Sequence, residues 1–131
     1  PMQALDTVVD FSLVDTFPSF KNCDSIFDTT QKSDCFRKTI HLKIGKELEK
    51  YSFTIKDSLS ETVFVNLRIS SKGKVFLEEV QSSEYCRMQL PELDSLLLLS
   101  IQNLPTMFPA IKRGIPVTTR YQLPIVIQLK E

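Results

Sequence analysis

From Val117 to Leu129 the chain alternates: Val117, Thr119, Tyr121, Leu123, Ile125, Ile127 and Leu129 fall on one face, and Thr118, Arg120, Gln122, Pro124, Val126 and Gln128 on the other. A period of two marks a strand buried on one side only. A strand this long demands a sheet, and a sheet with one wet face needs helices only on its other face. Pro124 interrupts the pattern chemically without breaking it. Having no amide hydrogen to give to a ladder, it places this strand at a sheet edge or at a bulge. An open edge can accept another strand.

The remaining periodicities supply the partners. Residues from about Thr7 to Leu13 read as an extended arm or edge strand, followed by Phe17-Pro18-Ser19 and a polar stretch from Cys23 to Asp34. Ser33 or Asp34 then offers an N-cap, and Phe36, Ile40, Ile44, Leu48 and Tyr51 form one apolar stripe of a helix from about Asp34 to Tyr51. Val63, Val65, Leu67 and Ile69 alternate up to a turn at Ser70 to Lys74, and Val75 to about Gln81 returns as the second strand of a hairpin. Pro91 fits the first turn of a second helix, whose Leu93, Leu97, Ile101 and Leu104 share a face until Pro105 stops it. Leu99 falls about 200° from Leu97, on the side of Glu92, Ser95 and Asn103. A link from Thr106 to Pro116 leads into the final strand. At 131 residues one hydrophobic core is expected. The expected fold is α+β: an antiparallel three- or four-stranded sheet with two helices packed on one face. Residues 1–32 read as an arm and linker, and residues 33–131 as the domain proper.

Candidate chemistry is sparse. Sixteen Lys and Arg balance sixteen Asp and Glu, so no global field draws in nucleic acid. No apolar run approaches the roughly 20 residues that span a bilayer. The first residues, Pro1-Met2-Gln3-Ala4, lack a basic region followed by an apolar stretch, and the chain reads as cut from something longer. His41 is the sole histidine and has no cysteine one turn away, which argues against Cys–His catalysis. Gly45, Gly73 and Gly114 each stand alone, so no phosphate loop is formed. Glu78 and Glu79 are expected on opposite faces of their strand, where they cannot act as an acid–base pair. Lys112-Arg113-Gly114 reads as a turn. No catalytic residue, cofactor or metal site is expected, and the chain reads as a binding module, not an enzyme. Cys23, Cys35 and Cys86 lack paired zinc spacings. Spacing alone leaves Cys23 and Cys35 open to two readings, a bridge closing a short loop in an oxidising compartment or two inert thiols.

From Leu104-Pro105 onward, Pro109, Arg113-Gly114, Pro116-Val117, Tyr121 and Leu123-Pro124-Ile125 closely resemble the terminal segment of TonB C-terminal domains. Upstream, Val9-Asp10-Phe11, Phe17-Pro18-Ser19-Phe20, Cys23 and Cys35-Phe36 are similar to the stretch that precedes the domain in the same subgroup. Lys21-Asn22, Tyr51-Ser52 and Ala110-Ile111 depart from its pattern. The resemblance implies the periplasmic domain of an inner-membrane-anchored energy transducer of Gram-negative bacteria, with its anchor and its contacts to inner-membrane motor proteins upstream of Pro1. Its partner would be the extended TonB box of an outer-membrane TonB-dependent transporter. That segment is gripped by strand addition along Val117, Thr118, Thr119, Arg120, Tyr121, Gln122 and Leu123, with Thr118, Arg120 and Gln122 flanking the peptide. In such a periplasmic domain Cys23 and Cys35 are expected to pair and Cys86 to stay free, and a homodimer through the same edge is expected to compete with the peptide. The alternative is a TonB-like peptide-binding or self-associating domain fused to another periplasmic, lipoprotein or signalling protein.

Overall fold

The structure, a computed structural model, describes residues 8–51, 53 and 57–130. Pro1 to Thr7, Ser52 and Glu131, to which some of the sequence expectations refer, lie outside the described residues. The elements run β1 (Val8–Asp10), α1 (Thr29–Glu49), β2 (Leu59–Ile69), β3 (Val75–Gln81), α2 (Glu84–Gln89), α3 (Leu93–Gln102), β4 (Ala110–Lys112) and β5 (Ile115–Leu129), with 3-10 turns at Phe11–Leu13 and Lys21–Cys23. The fold is mixed α+β. Among the described residues its sheet is five-stranded in the order β1-β5-β2-β3, and β4 pairs with the start of β5.

This corrects the expected sheet in two respects. The arm supplies β1, which runs parallel to β5, and the link supplies β4; every other pairing is antiparallel. Among the described residues β1, in the segment read as an arm or edge strand, and β4 are each three residues long, too short for a period of two to set their pairing, so tertiary contacts decide it. Helix α1 starts earlier than the apolar stripe implies. Asp28 is its N-cap, accepting from the Gln31 amide at 3.1 Å, and Ser33 is buried inside the helix. A polar first turn carries no apolar stripe, but Asp28 followed three residues later by Gln31 is the pattern of a capping box. Pro91 lies in the turn before α3, whose N-cap is Glu92, and not in its first turn. The preceding six-residue α2, capped by the Ser83 hydroxyl accepting from the Cys86 amide at 3.0 Å, is too short to show a helical period.

One core joins these elements. Phe36, Ile40 and Ile44 of α1 and Leu93, Leu97 and Ile101 of α3 meet the inward residues of β2 together with Val75 and Leu123. Phe20, between β1 and α1, is buried in the same cluster, so this segment contributes to the core. Leu97 is 1% exposed and Leu99 43%. Leu97→Ala and Ile44→Ala are each expected to cost about 2–5 kcal/mol in urea unfolding. Leu99→Ala should stay within about 0.5 kcal/mol, and a large loss there would mean that something covers this face of α3.

The β2–β3 hairpin carries a bulge that the alternation did not foretell. Asn66 pairs with Glu79 but Leu67 pairs with Leu77, which leaves Glu78 as the extra residue. Leu77 and Val80 both pack on the core, so Glu78 and Glu79 are both exposed on the outer face. The expectation that they point to opposite faces fails because the bulge resets the period. The hairpin turn at Gly73 (φ 80°) is held to the link by the Met107 amide, which donates to the Gly73 carbonyl at 2.9 Å. A Cβ at Gly73 would collide with the Met107 carbonyl, so the close approach requires glycine.

Candidate partner-binding edge

Strand β5 is paired with β2 from Thr119 opposite Ile69 to Leu129 opposite Leu59. On its other edge β1 takes Thr118, Thr119 and Arg120. From Tyr121 to Leu129 no strand lies on that edge among the described residues. Within the expected binding window, Val117 is paired with Ala110 of β4 and residues 118–120 with β1, leaving Tyr121, Gln122 and Leu123 unpaired on that side. The free stretch therefore starts later than expected and runs further. Pro124 lies inside it, opposite Phe64. An antiparallel ladder leaves alternate residue pairs unbonded, and there a residue without an N–H costs the β2–β5 ladder nothing.

Aromatic packing reinforces the backbone pairing at the occupied end. Phe11, just after β1, has its ring centroid 4.9 Å from Phe17, 5.6 Å from Phe36 and 5.2 Å from Tyr121. Phe36 meets Tyr121 edge-on at 5.2 Å. Burial pushes the Tyr121 pKa up, with Arg37 acting the other way, so the phenol stays protonated beside the arm. The bridge between Cys23 and Cys35 ties the end of the arm to the second turn of α1, with Cα atoms 5.9 Å apart. Cys86 is free and buried, and its thiol pKa is raised by desolvation and then by Glu61 and Asp94, which makes it a poor nucleophile.

The outward residues of the window are already engaged. Thr118 is buried and its hydroxyl accepts from the Ser71 amide at 3.2 Å. Arg120 Nε donates to Glu78 Oε1 at 2.9 Å, and Arg68 Nε lies 3.5 Å from Glu78 Oε2. Gln122 Nε2 donates to Asn66 Oδ1 at 3.1 Å, and Asn66 Nδ2 to Glu79 Oε1 at 2.9 Å. The bulge makes this network possible by bringing both carboxylates to one face. It is a structural brace between β3, β2 and β5.

Beside the free stretch lies a notch of about 160 Å³ between α1 and β5, lined by His41, Ile44, Gly45, Leu48, Leu123, Ile125 and Val126. Partial burial lowers the His41 pKa, so its imidazole is neutral at pH 7 and the notch is uncharged. Val126, on the outer face, is 67% exposed. Gly45 lies well inside α1, and a Cβ there would meet nothing within 4 Å. Gly45→Ala is therefore expected to raise stability by about 0.5–1 kcal/mol through helix propensity, measured by urea unfolding. A loss of stability would mean that the notch is tighter than its lining suggests.

Sequence reasoning found β5 and read the segment holding β1 as an arm or edge strand, but it missed the parallel pairing of β1, the bulge and the notch. Only the notch left a signal, a lone glycine inside a helical pattern. Among the described residues no His, Cys, Asp and Glu cluster could hold a metal, and no helix is long and apolar enough to cross a membrane. Comparison of the chain with protein-family models, with curated proteins and with solved structures gives no match.

Proposed function

We propose that the chain is a TonB C-terminal-like domain that captures an extended peptide by strand addition on β5. The observation that carries this reading is the edge from Tyr121 to Leu129, which has no strand partner among the described residues on the side away from β2. The Leu-Pro-Ile and Arg-Gly-x-Pro-Val resemblance falls on the same strand and the turn before it. In this reading β3-β2-β5 with α1 and α3 is the family's framework, and β1, β4 and α2 are additions to it. The partner is the TonB box of an outer-membrane transporter, and the domain is the periplasmic end of an inner-membrane-anchored transducer coupling the proton gradient to import.

Main-chain bonds supply most of the affinity in strand addition, and alternate side chains supply the choice. Peptide pairing starts at Tyr121 and runs toward Leu129, with the notch taking one aliphatic side chain. Reaching Thr118 to Arg120 requires β1 to leave. Ordering a free peptide costs much of the gain, so an isolated box segment binds at micromolar affinity or weaker. The open edge also fits a second copy of the chain, so dimer and peptide exclude each other.

Backbone N-methylation of alternate box residues tests the mode of binding. Removing two donors worth about 1 kcal/mol each should weaken binding roughly 30-fold, whereas Arg120→Ala, whose guanidinium is held by Glu78, should change it less than about threefold. Equal binding by methylated and unmethylated peptides would overturn strand addition.

A further inference from the structure

On the other side of the buried stripe of α1 lies a separate, half-open groove of about 820 Å³, bordered by the Lys21–Cys23 turn, by α1 and by residues 105–108. Its size is that of a small-molecule site. Lys21, Lys43 and Lys46 bring three ammonium groups to it, and among the described residues no carboxylate lines it. None of the three lysines forms an ion pair among the described residues. Glu47, the nearest acid along the helix, is taken by Lys50 at 3.1 Å. In a chain whose charges balance to zero, this is a local excess of positive charge.

The groove is also apolar. Phe20 contributes a buried ring, with Lys43 Nζ 5.8 Å above its centroid, and Leu42 and Phe108 stand 57% and 45% exposed. Neither character alone explains the arrangement. Apolar walls rimmed by unpaired cations suit a ligand with an apolar body and an anionic head. The geometry points to a binding site for a single anionic amphiphile, its phosphate or carboxylate held among Lys21, Lys43 and Lys46 and its chain laid over Phe20, Leu42 and Phe108. One molecule is the occupant, not a bilayer. Polybasic membrane contacts use clusters of about four to eight Lys and Arg on an open surface, and here there are three around a concavity. The site is independent of strand addition on β5.

Dodecyl phosphate below its micellar concentration, titrated against the labelled chain, tests the assignment through amide chemical shifts. Saturable shifts are expected at Thr39, Leu42, Met107 and Phe108. Inorganic phosphate, lacking the chain, and dodecyltrimethylammonium, lacking the negative charge, should each bind at least roughly tenfold more weakly. The double variant Lys43→Gln/Lys46→Gln and the single variant Leu42→Asn replace side chains at the solvent boundary and should each weaken binding about tenfold with the unfolding midpoint unchanged. Equal binding of the cationic amphiphile, shifts away from these residues, variants that bind like the parent, or binding only to phosphatidylglycerol vesicles would each overturn the assignment.

Discussion

Phe36→Ala is expected to lower the unfolding free energy by about 3–5 kcal/mol. The side chain is fully buried, and its ring touches three others: Phe11 and Phe20 from the arm, at 5.6 and 5.8 Å, and Tyr121 from β5 at 5.2 Å. Truncation removes the buried ring and leaves a cavity whose walls come from three separate parts of the chain, which cannot easily close on it. The arm should suffer most. Among the described residues its strand makes three residue pairs with β5, and each net backbone bond is worth about 0.5–1.5 kcal/mol, comparable to one good aromatic contact. With the aromatic cluster gutted, β1 should open, and the amides of Val8 to Asp10 should lose exchange protection before those of β2. Urea unfolding and native-state hydrogen exchange measure the two effects. A loss below about 1.5 kcal/mol, with β1 still protected, would show that Phe36 does not hold the arm.

Removing the Cys23–Cys35 bridge is expected to cost about 3 kcal/mol, the chain-entropy value for a loop of this size. The sequence separation is 12, and Cys23 lies within the core boundary with no exposed surface. The double variant Cys23→Ala/Cys35→Ala is preferable to reduction, because Cys86 is a third thiol that would reshuffle on unfolding. In the oxidised protein, unfolded without reductant, one titratable thiol is expected. Three would sink the bridge. Cross-linking acts mainly on the unfolded chain, so the bridge should raise stability without changing the β5 edge, and peptide binding by the double variant should match the parent at temperatures where both are folded.

The long periodic elements were legible because one driving force, apolar burial, sets which face turns inward. Ile40, Ile44 and Phe36, or Val63, Val65, Leu67 and Ile69, repeat that choice often enough to be read. Where the chain departs from its pattern, a local event outweighed periodicity. One extra residue at Glu78 resets a strand, a capping carboxylate at Asp28 starts a helix inside a polar stretch, and a single phenylalanine, Phe11, carries a three-residue strand into the sheet. Pro124 shows both sides. It pointed to an edge strand or a bulge, whereas β5 lies between β1 and β2 with no bulge at Pro124, and only the stretch from Tyr121 to Leu129 lacks a partner on the β1 side among the described residues. Long-range pairing between residues 8–10 and 118–120 leaves no trace in the local sequence.

The open edge of β5 is tested most directly by an amide chemical-shift map of the labelled chain with a TonB-box peptide at up to millimolar concentration. Strand addition places the shifts on Tyr121 to Leu129 and on His41 and Gly45 beside the notch, leaving the exposed face of α3 unmoved. Shifts concentrated on α3, or no shifts at millimolar peptide, would contradict it.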